Sequence, residues 1–363
     1  MELFIGIMSG TSLDGIDAVL VETDGDRVTL LARTNSPFEP TLRHRLLTLA
    51  GGGAVTARQW GELDTELGQA YAAVTTKLLR ESGHSAGQIR AIGCHGQTVW
   101  HQPAGPLPFS LQLGDGNRLA ADTGIIAIND FRRKDMALGG QGAPLVPAFH
   151  QRVLGGVNHV RILANIGGIA NITVLAPDQP VLGFDVGPGN MLMDLWTRRH
   201  LGQPYDKDAA FAQQGKVDAT LLAHLLAEPW LALTAPKSTG RELFSEDWLD
   251  ARLPDCMAPA DVQATLAEFT VTAIANEVDK WPAGELLVCG GGGHNPLLMQ
   301  RLAALLPGWR VDTSNSAGVD MDAMEAMAFA WLAHQTMHGL AGNLPDVTGA
   351  RRPAILGAIH LPG

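Results

Sequence analysis

A carboxylate, Asp185, stands in GFDVGPGN (Gly183–Asn190), after a strand-like run and ahead of a stiff Gly-Pro-Gly turn. Apolar neighbours raise the pKa of such a group and suit it to general-base work, although an Asp capping the following turn is an equal reading. A second stretch, MSGTSLDGID, contains Ser9, Gly10, Thr11, Ser12, Leu13, Asp14, Gly15, Ile16 and Asp17. Its glycines permit close backbone approach, and its hydroxyls and N–H groups can converge on an anion. A third, CGGGGHNP, places Gly290, Gly291, Gly292 and Gly293 between a strand and a helix. A tight turn there needs one or two glycines. Four allow a phosphate or a planar group to lie on the backbone, at the positive end of a helix. Neither glycine loop is a Walker A motif, because no Gly-Lys-Ser/Thr follows.

Other polar clusters are less specific. CHGQTVWHQP carries His95, Gln97, Thr98 and His101 at a strand end, which suits hydrogen bonding to a polar substrate such as a sugar better than metal binding. Cys94 and His95 are neighbours on a strand and point to opposite faces, so they are no nucleophile pair. NDFRRKDMALGGQGAPLVP groups Asp130, Arg132, Arg133, Lys134 and Asp135 before a glycine-rich crossing. PKSTGRELF reads equally as a phosphate loop or as a helix start. Glu325 is the carboxylate of a Met-rich helix whose other residues read as core, and it is the one candidate there to face a ligand.

The chain around these residues has 363 positions, which favours two domains, and 46% hydrophobic residues, enough for buried cores. A net charge of -11 argues against nucleic acid and anionic membranes as partners. Three widely spaced cysteines, Cys94, Cys256 and Cys289, suggest neither a disulfide framework nor a zinc site, and a reducing cytoplasm is the expected location. The N-terminus lacks a basic region before an apolar run, so no secretory signal is expected, and no run of about 20 apolar residues suggests a membrane span.

The elements that must position the loops alternate. FIGIM, AVLVETD and VTLLART read as strands, with helices near Thr41–Ala50 and Thr56–Glu81. IRAIGCHG, SLQLGD and IIAIND follow as strands. VRILANIGGIANITVLAP (Val160–Pro177) is again strand, Gly/Asn loop, strand, so the second half opens as the first does. Asn165, Gly167 and Gly168 lie in that second hairpin. A helix-rich stretch, Ala209–Trp281, precedes ELLVCGGGG, and a helix is expected over Asp322–His338. This alternation indicates an α/β chain with ligands at the strand ends.

In this order, an N-terminal hairpin loop, a second hairpin and a late strand–GGGG–helix resemble the superfamily of sugar kinases, heat-shock ATPases and actin. MSGTSLDGID, HGQTVWHQP, DFRRKDMALGGQGAPLVPAFH, NIGGIANIT, FDVGPGN, PKSTGRELF, CGGGGHNP and NLPDVTGA together resemble the anhydro-N-acetylmuramic acid kinases over nearly the whole chain. The resemblance implies an α/β fold of two duplicated actin-like (ribonuclease H-like) ATPase domains with a nucleotide and substrate cleft between them. The expected limits are 1–130, rejoined by about 345–363, and 131–344 with a helical insertion at about 209–281. It implies ATP and Mg²⁺ as cofactors, a small anhydro amino sugar as substrate, and a homodimer.

By the same resemblance Asp185 is the base. Ser9 to Asp17, Asn165, Gly167, Gly168 and Gly290 to Gly293 hold the nucleotide, and His95, Gln97, Thr98, Asp130 and Glu325 face the sugar. A kinase for another anhydrosugar such as levoglucosan, or a non-sugar ATP-driven protein, are the alternatives. Relatives in the wider superfamily often carry an acid where this chain has Met8, and the second hairpin has Asn165 there, so the metal ligands stay unassigned.

Overall fold

Strand β1 (Glu2–Met8) is buried along most of its length on both faces, which explains its near-continuous apolar sequence. Ile5 and Ile7 pack with Leu63, Leu67 and Tyr71 of the Ala57–Ser82 helix. That helix starts on a reciprocal Thr56–Gln59 capping box and stops at Gly83 in the left-handed conformation. The opposite face of β1 is notched by Gly6. A Cβ there would lie 1.8 Å from the carbonyl oxygen of Ala326, and one at Gly93 would lie 2.0 Å from that of Phe329. The Met324–Met337 helix therefore rests directly on strand backbone.

The computed structural model describes residues 1–10, 13, 15–235, 237–240, 243–254 and 256–363, and it divides into two compact units. The first comprises Met1–Val153 with Ala323–Gly363, the second Leu154–Asp322. The boundary expected at 130/131 thus falls inside the first unit. The Arg133–Ala137 and Val146–Leu154 helices follow that point, and Asp135 is tied to Asn343 and Thr348 by hydrogen bonds that hold this region to the C-terminal segment. The Met324–Met337 helix likewise belongs with the first sheet rather than the second.

In the first unit β1 is followed by β2 (Ile16–Thr23), β3 (Val28–Ser36), β4 (Ile89–Cys94), β5 (Gln97–Gln102), β6 (Phe109–Leu113) and β7 (Ala127–Asn129). In the second come β8 (Arg161–Ile166), β9 (Ile169–Leu175), β10 (Leu182–Pro188), β11 (Glu285–Cys289) and β12 (Arg310–Thr313). The last strand, β13 (Ala358–His360), returns to the first sheet. The sheet orders are β13-β7-β4-β1-β2-β3 and β10-β9-β8-β11-β12.

Each core sheet thus repeats one plan. An antiparallel meander of three strands leads back to a first strand, which pairs in parallel with the fourth, and the fourth pairs in parallel with the fifth. The duplication expected from layout is present in topology. Parallel pairing puts the ends of β1 and β4, and of β8 and β11, on one edge of their sheets, where α/β folds gather ligands.

Several local expectations change. HGQTVWHQP is a strand that forms a separate hairpin with β6, because Gln112 and Ser110 satisfy its polar side chains. The central helix of the second unit, Pro259–Val278, is buried on nearly every side, which hides its amphipathic period. Among the described residues no helix is long and apolar enough to cross a membrane.

Gly93→Val should cost at least about 3 kcal/mol, since the clash is with helix backbone that cannot rotate away. Urea unfolding checks it, and a wild-type midpoint would mean that the helix does not rest on β4 as described.

Candidate functional site

In the first unit the loop after β1 is fastened from several sides. Ser9 is buried, and its hydroxyl bonds Tyr71 Oη at 2.9 Å and reaches Gly96 O at 3.4 Å. Leu13 is buried with φ of 54°, its N–H bonded to Gly10 O and its carbonyl accepting from Arg43 Nε at 2.7 Å. Ile16 is core as well. Ser9, Leu13 and Ile16 therefore commit their side chains to the unit, and what they can offer an anion is backbone. Gly15 lies against Asn35, where a Cβ would come within 2.7 Å of Nδ2. Thr11, Ser12 and Asp14, expected to hold nucleotide, lie outside the described residues. Asp17 stands directly across the hairpin from Met8, so the two side chains share a face. Asn35 Nδ2 donates to Asp17 Oδ1 at 2.8 Å.

At the end of β4, His95 accepts hydrogen bonds at Nε2 from Arg132 Nε (3.1 Å) and Nη2 (2.8 Å), and it packs on Phe329. Burial and the adjacent guanidinium push its pKa well below the ordinary value, so it is a neutral ring. Burial lowers Arg132 to about 10, against the pull of Glu325 and Asp135. Glu325, in the first turn of its helix, is thus electrostatically linked to Arg132. Gln97 donates to Gly10 O at 3.3 Å, which ties the two sequence motifs together, and its buried Oε1 has no partner among the described residues. Thr98 Oγ1 accepts from Gln112. Asp130, at a positive φ of 58°, pairs with Arg133.

Sequence reasoning missed the role of Asp135. It is fully buried and accepts from Gly142 N, Asn343 Nδ2 and Thr348 Oγ1 at 2.8, 2.6 and 2.7 Å. It holds the glycine-rich loop onto the NLPDVTGA segment, and only long-range contact reveals this.

In the second unit three loops meet at the ends of β8, β10 and β11. Gly189 N donates to Gly168 O (2.8 Å) and Asn190 N to Gly167 O (2.7 Å), while Asn190 Nδ2 reaches Ile166 O at 3.0 Å. A Cβ at Gly189 would sit 2.2 Å from Gly167 O, one at Gly290 2.4 Å from Asn165 Oδ1, and one at Gly292 2.3 Å from Ile166 Cγ2. Two of the four consecutive glycines are therefore demanded by packing on β8. Gly291 is the exposed one, and Gly293 rests beside Met321. Asn295 then caps the Pro296–Leu305 helix through Leu297 N and Leu298 N.

Asp185 lies on β10 opposite Asn171, half-buried. Thr239 N donates to its Oδ2 at 2.8 Å, and its own N–H donates to Lys237 O at 3.1 Å. The Lys237–Thr239 backbone is thus seated against Asp185, a link that no spacing in the sequence announces. Lys237 is not a free cation for phosphate. Its Nζ is buried, bonding Leu231 O and Glu277 at 2.9 and 3.0 Å between the rings of Phe184 and Trp230. Thr239 Oγ1 is buried without a partner among the described residues.

The family model described as anhydro-N-acetylmuramic acid kinase matches residues 2–362. A curated anhydro-N-acetylmuramic acid kinase of Vibrio parahaemolyticus is 56% identical, over 99% of this chain and 98% of the relative. That of Vibrio cholerae is 54% identical over 99% of both. Among solved structures, the activator of the 2-hydroxyisocaproyl-CoA dehydratase from Clostridium difficile with bound ADPNP aligns at a TM-score of 0.47 and 12% identity, covering 91% of this chain and 94% of that one.

His95 and His150 are buried, and burial also lowers His150, to about 3. The unfolded chain takes up protons near pH 6.5 that these native rings refuse. Their contribution is therefore full above that pH and falls as pH drops, by about 1.4 kcal/mol per unit for each ring. Urea unfolding at pH 7.5 and 5.5 should show the loss, and His150→Gln should flatten it. Equal wild-type midpoints at both pH values would contradict it.

Proposed function

The chain belongs to the anhydro-N-acetylmuramic acid kinase family, and from that premise we propose that it converts 1,6-anhydro-N-acetylmuramic acid, ATP and water to N-acetylmuramic acid 6-phosphate and ADP. Its role is then recycling of cell-wall sugar in a reducing cytoplasm, as a homodimer. The observation that carries the mechanistic reading is the 2.8 Å bond from Thr239 N to Asp185 Oδ2. It fixes the direction of a half-buried carboxylate in the middle of β10, the strand that leads into the Gly187–Asn190 turn.

The substrate's O6 is bridged to C1 and carries no hydrogen. Water attacks C1, the C1–O6 bond breaks, and O6 takes the γ-phosphoryl group while ADP leaves. Asp185 accepts the proton of that water, as the base of an inverting glycosidase does. A separate acid is unnecessary, since phosphorus captures the leaving oxygen. The backbone N–H groups of the Ser9–Asp17 loop and of the Gly167–Gly168 hairpin stabilise phosphoryl charge. The Gly290–Gly293 loop, with Gly291 exposed, receives the adenosine part. His95, Gln97, Thr98, Asp130 and Glu325 serve the sugar, with the neutral His95 held in orientation by Arg132.

Mg²⁺ neutralises nucleotide phosphates when bound. The described residues of these loops form no group of three carboxylate or histidine ligands for it. Asp14, Asp17 and Asp185 are the carboxylates these motifs offer it, and phosphate oxygens and water would supply the remaining contacts, as is common for this ion. Asp17, on the hairpin face shared with Met8, is the nearest counterpart of the acid that relatives carry at that position.

Asp185→Asn should fold and bind ATP while turnover drops by about 10³-fold or more, the scale of losing a general base together with its charge. Turnover with 1,6-anhydro-N-acetylmuramic acid, read by mass of the product, checks this, and wild-type-like activity would remove Asp185 from the role. In ¹⁸O-labelled water the label should enter the product at C1. Label in the phosphate group instead would contradict the attack described.

A further inference from the structure

Glu2, His334 and His338 lie together in the first unit, outside every loop discussed above. One ligand atom from each falls within 4.8 Å of the others. The two histidines are four apart near the end of the Met324–Met337 helix, so they share a face, and their rings are 4.3 Å apart. Glu2 opens β1, and its Oε2 meets His338 Nε2 at 2.6 Å. A cavity of about 420 Å³ adjoins them, lined also by Thr23 and Asp24.

The protonation pattern is already that of a ligand set. Gln335 Nε2 donates to Ala341 O at 3.2 Å, which leaves Gln335 Oε1 to accept from His334 Nδ1 at 3.1 Å. His334 then carries its hydrogen on Nδ1 and a lone pair on Nε2, the arrangement that outer partners impose on metal-bound imidazoles. His334 is buried, and burial holds its pKa below the ordinary value, so it is neutral near pH 7. The negative end of the helix dipole favours a cation here. Arg90, 3.5 Å from Glu2 Oε1, is the competing positive charge.

We propose that Glu2, His334 and His338 bind one divalent transition-metal ion of the zinc class, with the fourth position open to water in the cavity. Two imidazoles and a carboxylate are a recurrent zinc donor set, and the three ligand atoms, within 4.8 Å of one another, would close on the ion by side-chain rotation. The ion replaces the hydrogen between His338 and Glu2 and ties the first strand to the last turn of the helix that rests on it.

The test is equilibrium dialysis of the full chain, freed of any affinity tag, against micromolar Zn²⁺. One ion per chain is expected. His338→Ala and Glu2→Gln should each weaken binding at least about a hundredfold, and Gln335→Leu about tenfold, the range for an outer partner. Bound Zn²⁺ should raise the melting temperature of the wild type but not of His338→Ala, whose kinase turnover stays unchanged. His338 and Glu2 are at the surface, so these variants avoid the folding risk of replacing His334. Absence of retained Zn²⁺ in the wild type, or equal binding by wild type and both ligand variants, overturns the proposal.

Discussion

The second unit depends on the close approach of neighbouring loops at two glycines. Gly189 is pressed against the carbonyl of Gly167, and Gly290 against the side chain of Asn165. Any side chain at either position would push the β8–β9 hairpin away from the ends of β10 and β11. With that hairpin displaced, Asn190 would lose Ile166 O and Gly167 O, and the three strand ends would no longer share an edge. The N–H groups of Gly189, Asn190, Gly290 and Gly293 are spent on carbonyls within the unit, which only side-chain-free backbone can approach so closely. The same close approach that packs the sheet leaves Gly291 at the surface.

The first unit reaches the same end by a different route. Its sheet repeats the strand order of the second, yet its edge is stiffened by buried polar groups rather than by glycine contacts alone. Asp135 gathers three donors from separated segments, and Arg132 holds His95 while its third bond goes to Gly142 O at 2.8 Å. Buried charges of this kind are expensive unless fully bonded. Here bonding is extensive, and Gly140, Gln141 and Gly142 of the loop are bonded to Asp135, Thr348 and Arg132. The chemistry of the two hairpins differs accordingly. One carries Met8 across from Asp17, the other Asn165 across from Asn171.

Asp185 joins both themes. It sits on a strand whose turn is set by glycine contacts, and its carboxylate is directed by the main chain of Thr239. Lys237, two residues earlier, is sunk between Phe184 and Trp230 and paired with Glu277. That burial anchors residues 237–240, so that their backbone rather than the cation meets the acid. A residue type that suggests phosphate binding in a linear reading is here a support for the segment that orients the Asp185 carboxylate.

The sequence by itself determined the α/β class and the repeated strand–loop–strand openings. These follow from local rules: alternating apolar runs, glycine clusters and caps are written in consecutive residues. The eight motifs in order were also enough to point to the kinase family, because each is a chain-local pattern. Tertiary structure decided what distance along the chain conceals. It showed that Gly290 and Gly292 serve packing and Gly291 is exposed, that Ser9 is spent on Tyr71, and that Asp135 reaches across more than two hundred residues to Thr348. It also brought Thr239 to Asp185, and Glu2 to His334 and His338. Such pairings depend on sheet order and helix seating, and a hydrogen bond between residues far apart leaves no periodicity or spacing for a single sequence to display.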